Sequence, residues 1–222
     1  MHDFKRVVID NTLDTTIDGF YEELLNNRYS FMLLYFEDKK YVLTKERSLI
    51  AINDEEKFLK KFENDIYYKT IVKEGSTFVY PKDLNLFYSY LEKYKEQLEK
   101  KKYGNKYYFG CVAVATTDGF ITTIRGKEKL DDYTLVKEVN HENHTIEVVN
   151  KKASLNAPLL DYLFKNEKVK VIVHLHDFYD NFNYEEYAFP GTVRDSKRCN
   201  TTSFNIKNHG VIYLFDKDGN LL

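Results

Sequence analysis

The chain has 222 residues, 43% of them hydrophobic, and its 33 basic and 35 acidic side chains leave a formal net charge of -2. So even a balance supplies no field to attract nucleic acid or anionic lipid, and no stretch approaches the ~20 apolar residues that span a bilayer. The length suffices to bury a core as one domain or two small ones, and two cysteines without C-x-x-C spacing, Cys111 and Cys199, suit free thiols in a reducing compartment. The expectation is a soluble, cytoplasmic protein with neither nucleic acid nor membrane as partner.

In chain order, the pattern predicts a strand over 5–9 and a helix over 16–26, opened by Thr15 and Thr16 and continued by Phe20, Leu24 and Leu25 at helical spacing. Strands follow over 30–36, 41–44 and 49–52, with residues 37–40 as the hairpin turn between the first two. The run from Val7 to Leu13 resembles the Asp-x-Asp-x-Thr phosphatase loop but holds Val8 where the nucleophilic carboxylate would stand, which excludes that chemistry. A helix is predicted over 54–63, strands over 66–72 and 77–80, and a long amphipathic helix from Pro81 to about 102, closed by Gly104 and Asn105. Beyond it come strands over 107–115, 120–124, 133–139 and 144–149, a helix over 157–165, an apolar strand over 169–174 and a last hairpin over 203–215. The boundary falls near Pro81 or Gly104. We therefore divide the chain into an N-terminal α/β unit, 1–104, in which no motif assigns a role, and a second unit, 105–222.

The chemistry concentrates in three histidines. Side chains alternate faces along a strand, so His174 and His176 in Val-His-Leu-His point the same way and can chelate one ion. His209, in Asn-His-Gly, would supply a third imidazole. Spacing alone leaves open whether His209 folds back beside the pair or the two histidines merely line a polar groove.

From Gly110 onward the chain resembles the class II aldolase/adducin family. Gly110-Cys111-Val112-Ala113-Val114 stands where the family has Gly-Asn-x-Ser-x-Arg, and the segment from Asp118 to Gly126 stands at its Asp-Gly-x-x-Ile-Thr-Pro-x-Gly. Leu130 to Val136 matches its L-x-x-x-D-L-V entry, Ala153-Ser154-Leu155-Asn156 its Pro-Ser-Ser-Glu/Asp, and Val173-His174-Leu175-His176 its Val-His-Thr-His. Phe189-Pro190-Gly191-Thr192 and Lys207-Asn208-His209-Gly210-Val211 follow in the family's order. The resemblance implies an α/β domain with a mainly antiparallel sheet, and a homo-oligomer with sites built between subunits. It makes His174, His176 and His209 ligands of Zn2+ or another divalent cation, which leaves an open position for a substrate oxygen. The implied activity is that of a lyase or epimerase on a small hydroxylated carbonyl compound, sugar phosphates included, with Gly110, Arg125, Gly126 and Ser154 at the substrate.

Departures from the family pattern bear on activity. Asn156 occupies the acid/base carboxylate position, and an amide does not exchange a proton near neutral pH. Cys111, Ala113 and Leu155 replace polar residues of the phosphate-binding segments, and Arg125 replaces a small residue. Within the segment between His176 and His209, Glu185 and Tyr187 are candidates for a replacement acid or base, against the alternative that residues 183–187 form an exposed turn. The alternative is a degenerate, adducin-like domain that keeps the fold for binding or assembly.

Overall fold

The computed structural model describes residues 4–9, 13–27, 29–45, 48–75, 79–100, 102–103, 107–198 and 200–222. It divides into two compact units, residues 1–65 and 66–222. The predicted boundary near 104 is displaced because residues 66–100 pack with the later part of the chain rather than with the first 65 residues. Gly104, Asn105 and Cys199, as well as the first part of the strand expected over 77–80, lie outside the described residues.

The first unit contains β1 (Phe4–Ile9), α1 (Leu13–Asn26), β2 (Phe31–Phe36), β3 (Lys39–Thr44), β4 (Leu49–Ile52) and α2 (Glu55–Glu63). Its sheet runs β1-β2-β3-β4, with β1 parallel to β2 across the α1 connection and the other pairs antiparallel. Phe31 anchors the core: it stacks on Phe4 at 5.0 Å and takes Phe62 of α2 edge-on at 4.5 Å. Asp54 caps α2 by accepting from the Lys57 amide at 2.9 Å, and acidic residues in the first turn with lysines in the last complement the helix dipole.

The second unit begins with β5 (Lys69–Lys73), α3 (Pro81–Lys93), α4 (Lys95–Lys100), β6 (Lys102–Tyr103), β7 (Tyr107–Tyr108) and β8 (Cys111–Thr116). It continues with β9 (Gly119–Thr123), β10 (Tyr133–Asn140), β11 (Thr145–Val149), α5 (Ala157–Phe164) and β12 (Val171–Leu175), and closes with β13 (Tyr184–Glu185), α6 (Val193–Ser196), β14 (Phe204–Ile206) and β15 (Gly210–Phe215). The long helix expected from Pro81 to about 102 is divided at Tyr94, and the strand expected over 107–115 is interrupted at Gly110, whose φ is +73°. Among the described residues, no helix is long and apolar enough to cross a membrane.

Nine strands form one sheet in the order β13-β14-β15-β12-β8-β9-β10-β11-β5. It is mixed: six pairs are antiparallel, and parallel pairing is confined to the two edges, β13 with β14 and β11 with β5. Both faces are covered. Val112, Val114, Val171, Val173, Leu175 and Val211 pack with Phe87, Tyr90 and Leu91 of α3 and Leu98 of α4. Cys111, Ala113, Ile172, Ile212 and Leu214 pack with Ala157, Leu159, Leu160 and Leu163 of α5. Burial on both sides explains why β12 reads as an almost uninterrupted apolar run, and the one polar residue in it is His174.

Candidate metal centre

His174 lies on the α5 face of β12, opposite Cys111 of β8 and Ile212 of β15, and is 1% exposed. Its Nδ1 is 3.0 Å from the Val211 carbonyl oxygen. Only an N–H can donate to a carbonyl, so the proton sits on Nδ1 and the Nε2 lone pair is left to point inward, the arrangement typical of a ligating imidazole. That Nε2 is 3.1 Å from Nε2 of His209. His176 follows just past the end of β12, its ring centroid 4.9 Å from that of His174 and 4.7 Å from that of His209. One nitrogen from each ring lies within 4.8 Å of the other two.

These donors fit a divalent cation. Imidazole nitrogens bound tetrahedrally to zinc at about 2.0–2.1 Å are roughly 3.3 Å apart, so the closest pair already stands near ligand spacing. Both buried rings are also held neutral, as ligation requires. Burial pulls His174 down to about 4, and the Lys127 charge adds to that against the Val211 carbonyl. Burial, then His174 and Arg198, push His209 well below the ordinary histidine value.

The turn between β14 and β15 brings His209 back to β12. Its amide donates to the Ile206 carbonyl at 3.0 Å, and Asn208 takes a positive φ of 56°. Gly210 then passes so close to the end of β12 that a Cβ would stand 2.0 Å from the Leu175 carbonyl oxygen and 2.9 Å from Cα of His176. Only glycine lets the backbone of Asn-His-Gly lie against that of His-x-His.

A second group of residues adjoins His174. Burial pushes the Cys111 thiol up, while the Lys127 charge and side-chain hydrogen bonds with Ser154 and Asn156 act on it in the opposite direction. Asn156 is buried at the N-terminus of α5, and its main-chain N–H donates to the Ser154 hydroxyl at 3.3 Å. Gly110 runs under β12, where a Cβ would be 2.5 Å from the His174 carbonyl oxygen. Arg125 is exposed, its backbone paired with Lys152, and Gly126 has open space around it. Tyr187 presents its ring edge-on to His209 at 5.8 Å. Glu185 stands farther out, 3.8 Å from the guanidinium of buried Arg198, which also bonds Asp195 at 3.1 Å. Burial raises Asp195 to about 6 despite Arg198.

Lys127, Arg198, Asp195 and Phe109 escape sequence reasoning. Lysine and arginine are ordinarily surface residues, and nothing local separates a buried one from a solvated one.

No protein-family model matches the chain, and no curated protein matches it in sequence. Solved structures do show partial likeness. YgbL from Escherichia coli, a candidate aldolase/epimerase/decarboxylase, is 15% identical with a TM-score of 0.44, over 59% of this chain and 77% of its own. YgbL from Klebsiella pneumoniae gives 15% and 0.46 over 62% and 80%. L-fuculose-1-phosphate aldolase from Thermus thermophilus gives 12% and 0.43 over 61% and 85%. These are likenesses over part of each chain; the chemistry of the site follows from its own residues.

Proposed function

We propose that the chain is a divalent-metal enzyme of the class II aldolase type, a lyase or epimerase acting on a small hydroxylated carbonyl compound, with sugar phosphates among the substrates to test. The convergence of three largely buried imidazoles carries this reading. His174, His176 and His209 would hold the ion, zinc being the expected metal, and when bound it supplies Lewis acidity toward a carbonyl or hydroxyl oxygen.

The chain's own residues set the rest. The Val211 carbonyl holds the His174 tautomer with Nε2 free. Asn156 can orient a substrate by donating from its amide but cannot move a proton, so that task passes to Tyr187 beside His209, with Glu185 the more distant candidate. Gly110 and Ser154 line the approach from the β8 side, and Arg125 with Gly126 are proposed at the substrate's far end, where an exposed guanidinium can meet an anionic group. A soluble cytoplasmic homo-oligomer is the proposed setting.

Metal analysis of freshly purified protein should find about one divalent ion per chain, lost in His176→Ala. Absence of metal from the wild type overturns the reading. Asn156 supports a second one, a non-catalytic, adducin-like binding or assembly domain. That reading gains if Asn156→Glu yields no turnover with any triose-plus-aldehyde pair while the unaltered protein binds a partner.

A further inference from the structure

Lys127 is 3% exposed, and no carboxylate among the described residues pairs with it. A buried ammonium must have its protons taken by other acceptors. Here they are two main-chain oxygens: Nζ lies 3.0 Å from the Tyr108 carbonyl and 2.5 Å from that of Gly110. The backbone adds a third tie, the Tyr108 amide donating to the Lys127 carbonyl at 3.0 Å. The segment so fastened reaches the metal centre through Phe109 and Gly110. Phe109 stacks its ring on His176, with centroids 4.7 Å apart and planes 25° from parallel, and Gly110 lies against the backbone of His174.

His176 needs such support. It lies beyond the last residue of β12, so strand pairing does not hold its backbone as it holds His174. We propose that Lys127 is a positioning residue of the three-histidine centre: its ammonium clamps the Tyr108 and Gly110 carbonyls and thereby holds the Phe109 ring against His176, fixing the third ligand. The inference rests on the three histidines binding a divalent ion. A charged donor suits the task because one flexible ammonium can bond two convergent carbonyls more strongly than a neutral group can.

The test is a Co2+ titration of the full chain, read by the visible absorption of the bound ion, for wild type, K127M, F109A, the K127M/F109A double variant and K127Q. Residues that orient a metal ligand typically change affinity by about 10–100-fold. K127M and F109A should each weaken Co2+ binding at least about tenfold and alter the absorption band. The double variant should be no weaker than the poorer single one, since both act through the same ring. K127Q, which keeps two N–H donors without the charge, should fall between wild type and K127M. Should K127M fail to fold, K127Q against F109A decides, with wild-type affinity in K127Q overturning the role. Wild-type affinity in K127M, or additive losses in the double variant, also overturns it. A wild-type protein that binds no Co2+ overturns the metal reading as well, which distinguishes the two failures.

Discussion

Gly210 governs the geometry of the histidine cluster although it carries no functional atom. Its φ of +151° and a would-be Cβ only 2.0 Å from the Leu175 carbonyl oxygen leave no room for a side chain. Gly210→Ala should therefore force β15 away from β12, destabilise the fold by about 3 kcal/mol or more and reduce bound metal, as read by chemical denaturation and metal analysis. The buried histidines make a prediction about pH. His174 titrates at about 4 in the folded protein against 6.5 ordinarily. As pH falls from 6.5 to 4, the unfolded chain takes up a proton there that the folded one does not, so the metal-free protein loses stability through that window, at up to about 1.4 kcal/mol per pH unit for each such histidine. His209 acts in the same direction. Asp195, raised to about 6, opposes them, because the folded form takes up its proton first. Two histidines outweigh one carboxyl, so the urea midpoint of metal-stripped protein should drop between pH 7 and pH 5; a level or rising midpoint contradicts this.

At the scale of elements, β12 sets the centre by alternation, and α6 is held near it by a separate polar chain. The Tyr68 hydroxyl, just ahead of β5, lies 2.5 Å from Nδ1 of His141 in the β10–β11 turn and 3.3 Å from the Ser196 hydroxyl of α6, and Nε2 of His141 lies 2.7 Å from the Asp161 carboxylate of α5. Asp161 can only accept from His141 when ionised, which leaves Nδ1 of a neutral imidazole to accept from Tyr68. Two helices, a turn and the entry to β5 thus meet at one network. Tyr68→Phe removes the central link and leaves His141 without its donor, so a loss of about 1–2 kcal/mol is expected, measured as a shift in denaturation midpoint. An unchanged midpoint would show that the network contributes nothing net to stability. Strand and helix types here were largely legible in the residues: the helical spacing of Phe20, Leu24 and Leu25 in α1, and the apolar run of β12, read directly. The break of the long helix at Tyr94 and of the 107–115 strand at Gly110 was not, because both follow from packing against the sheet rather than from local propensity.

For the whole molecule, the division at Asp65 means that residues 66–222 contain the nine-stranded sheet, both of its hydrophobic faces and all three histidines. That segment expressed alone should unfold in a single cooperative transition and retain the metal content of the full chain. A molten, metal-free fragment would show that residues 1–65 are needed for the second unit to fold. A boundary near 104 reads well in the sequence because Gly104 follows a long helix. It was misplaced because the partner of β5 is β11, far along the chain, and only long-range pairing shows where a strand belongs.

By itself the sequence determined that His174 and His176 share a face, which follows from strand period; an α/β domain of mainly antiparallel pairing, and a carboxylate position filled by Asn156, entered only as what the resemblance to a family implied. Tertiary structure alone decided that His209 returns to 3.1 Å from His174, that Tyr187 stands by the site while Glu185 turns to Arg198, and that Lys127 is buried with its ammonium on the Tyr108 and Gly110 carbonyls. Distance between residues remote in the chain, and the loss of water around a charge, are set by how strands pair and helices cover them, and no local pattern records either.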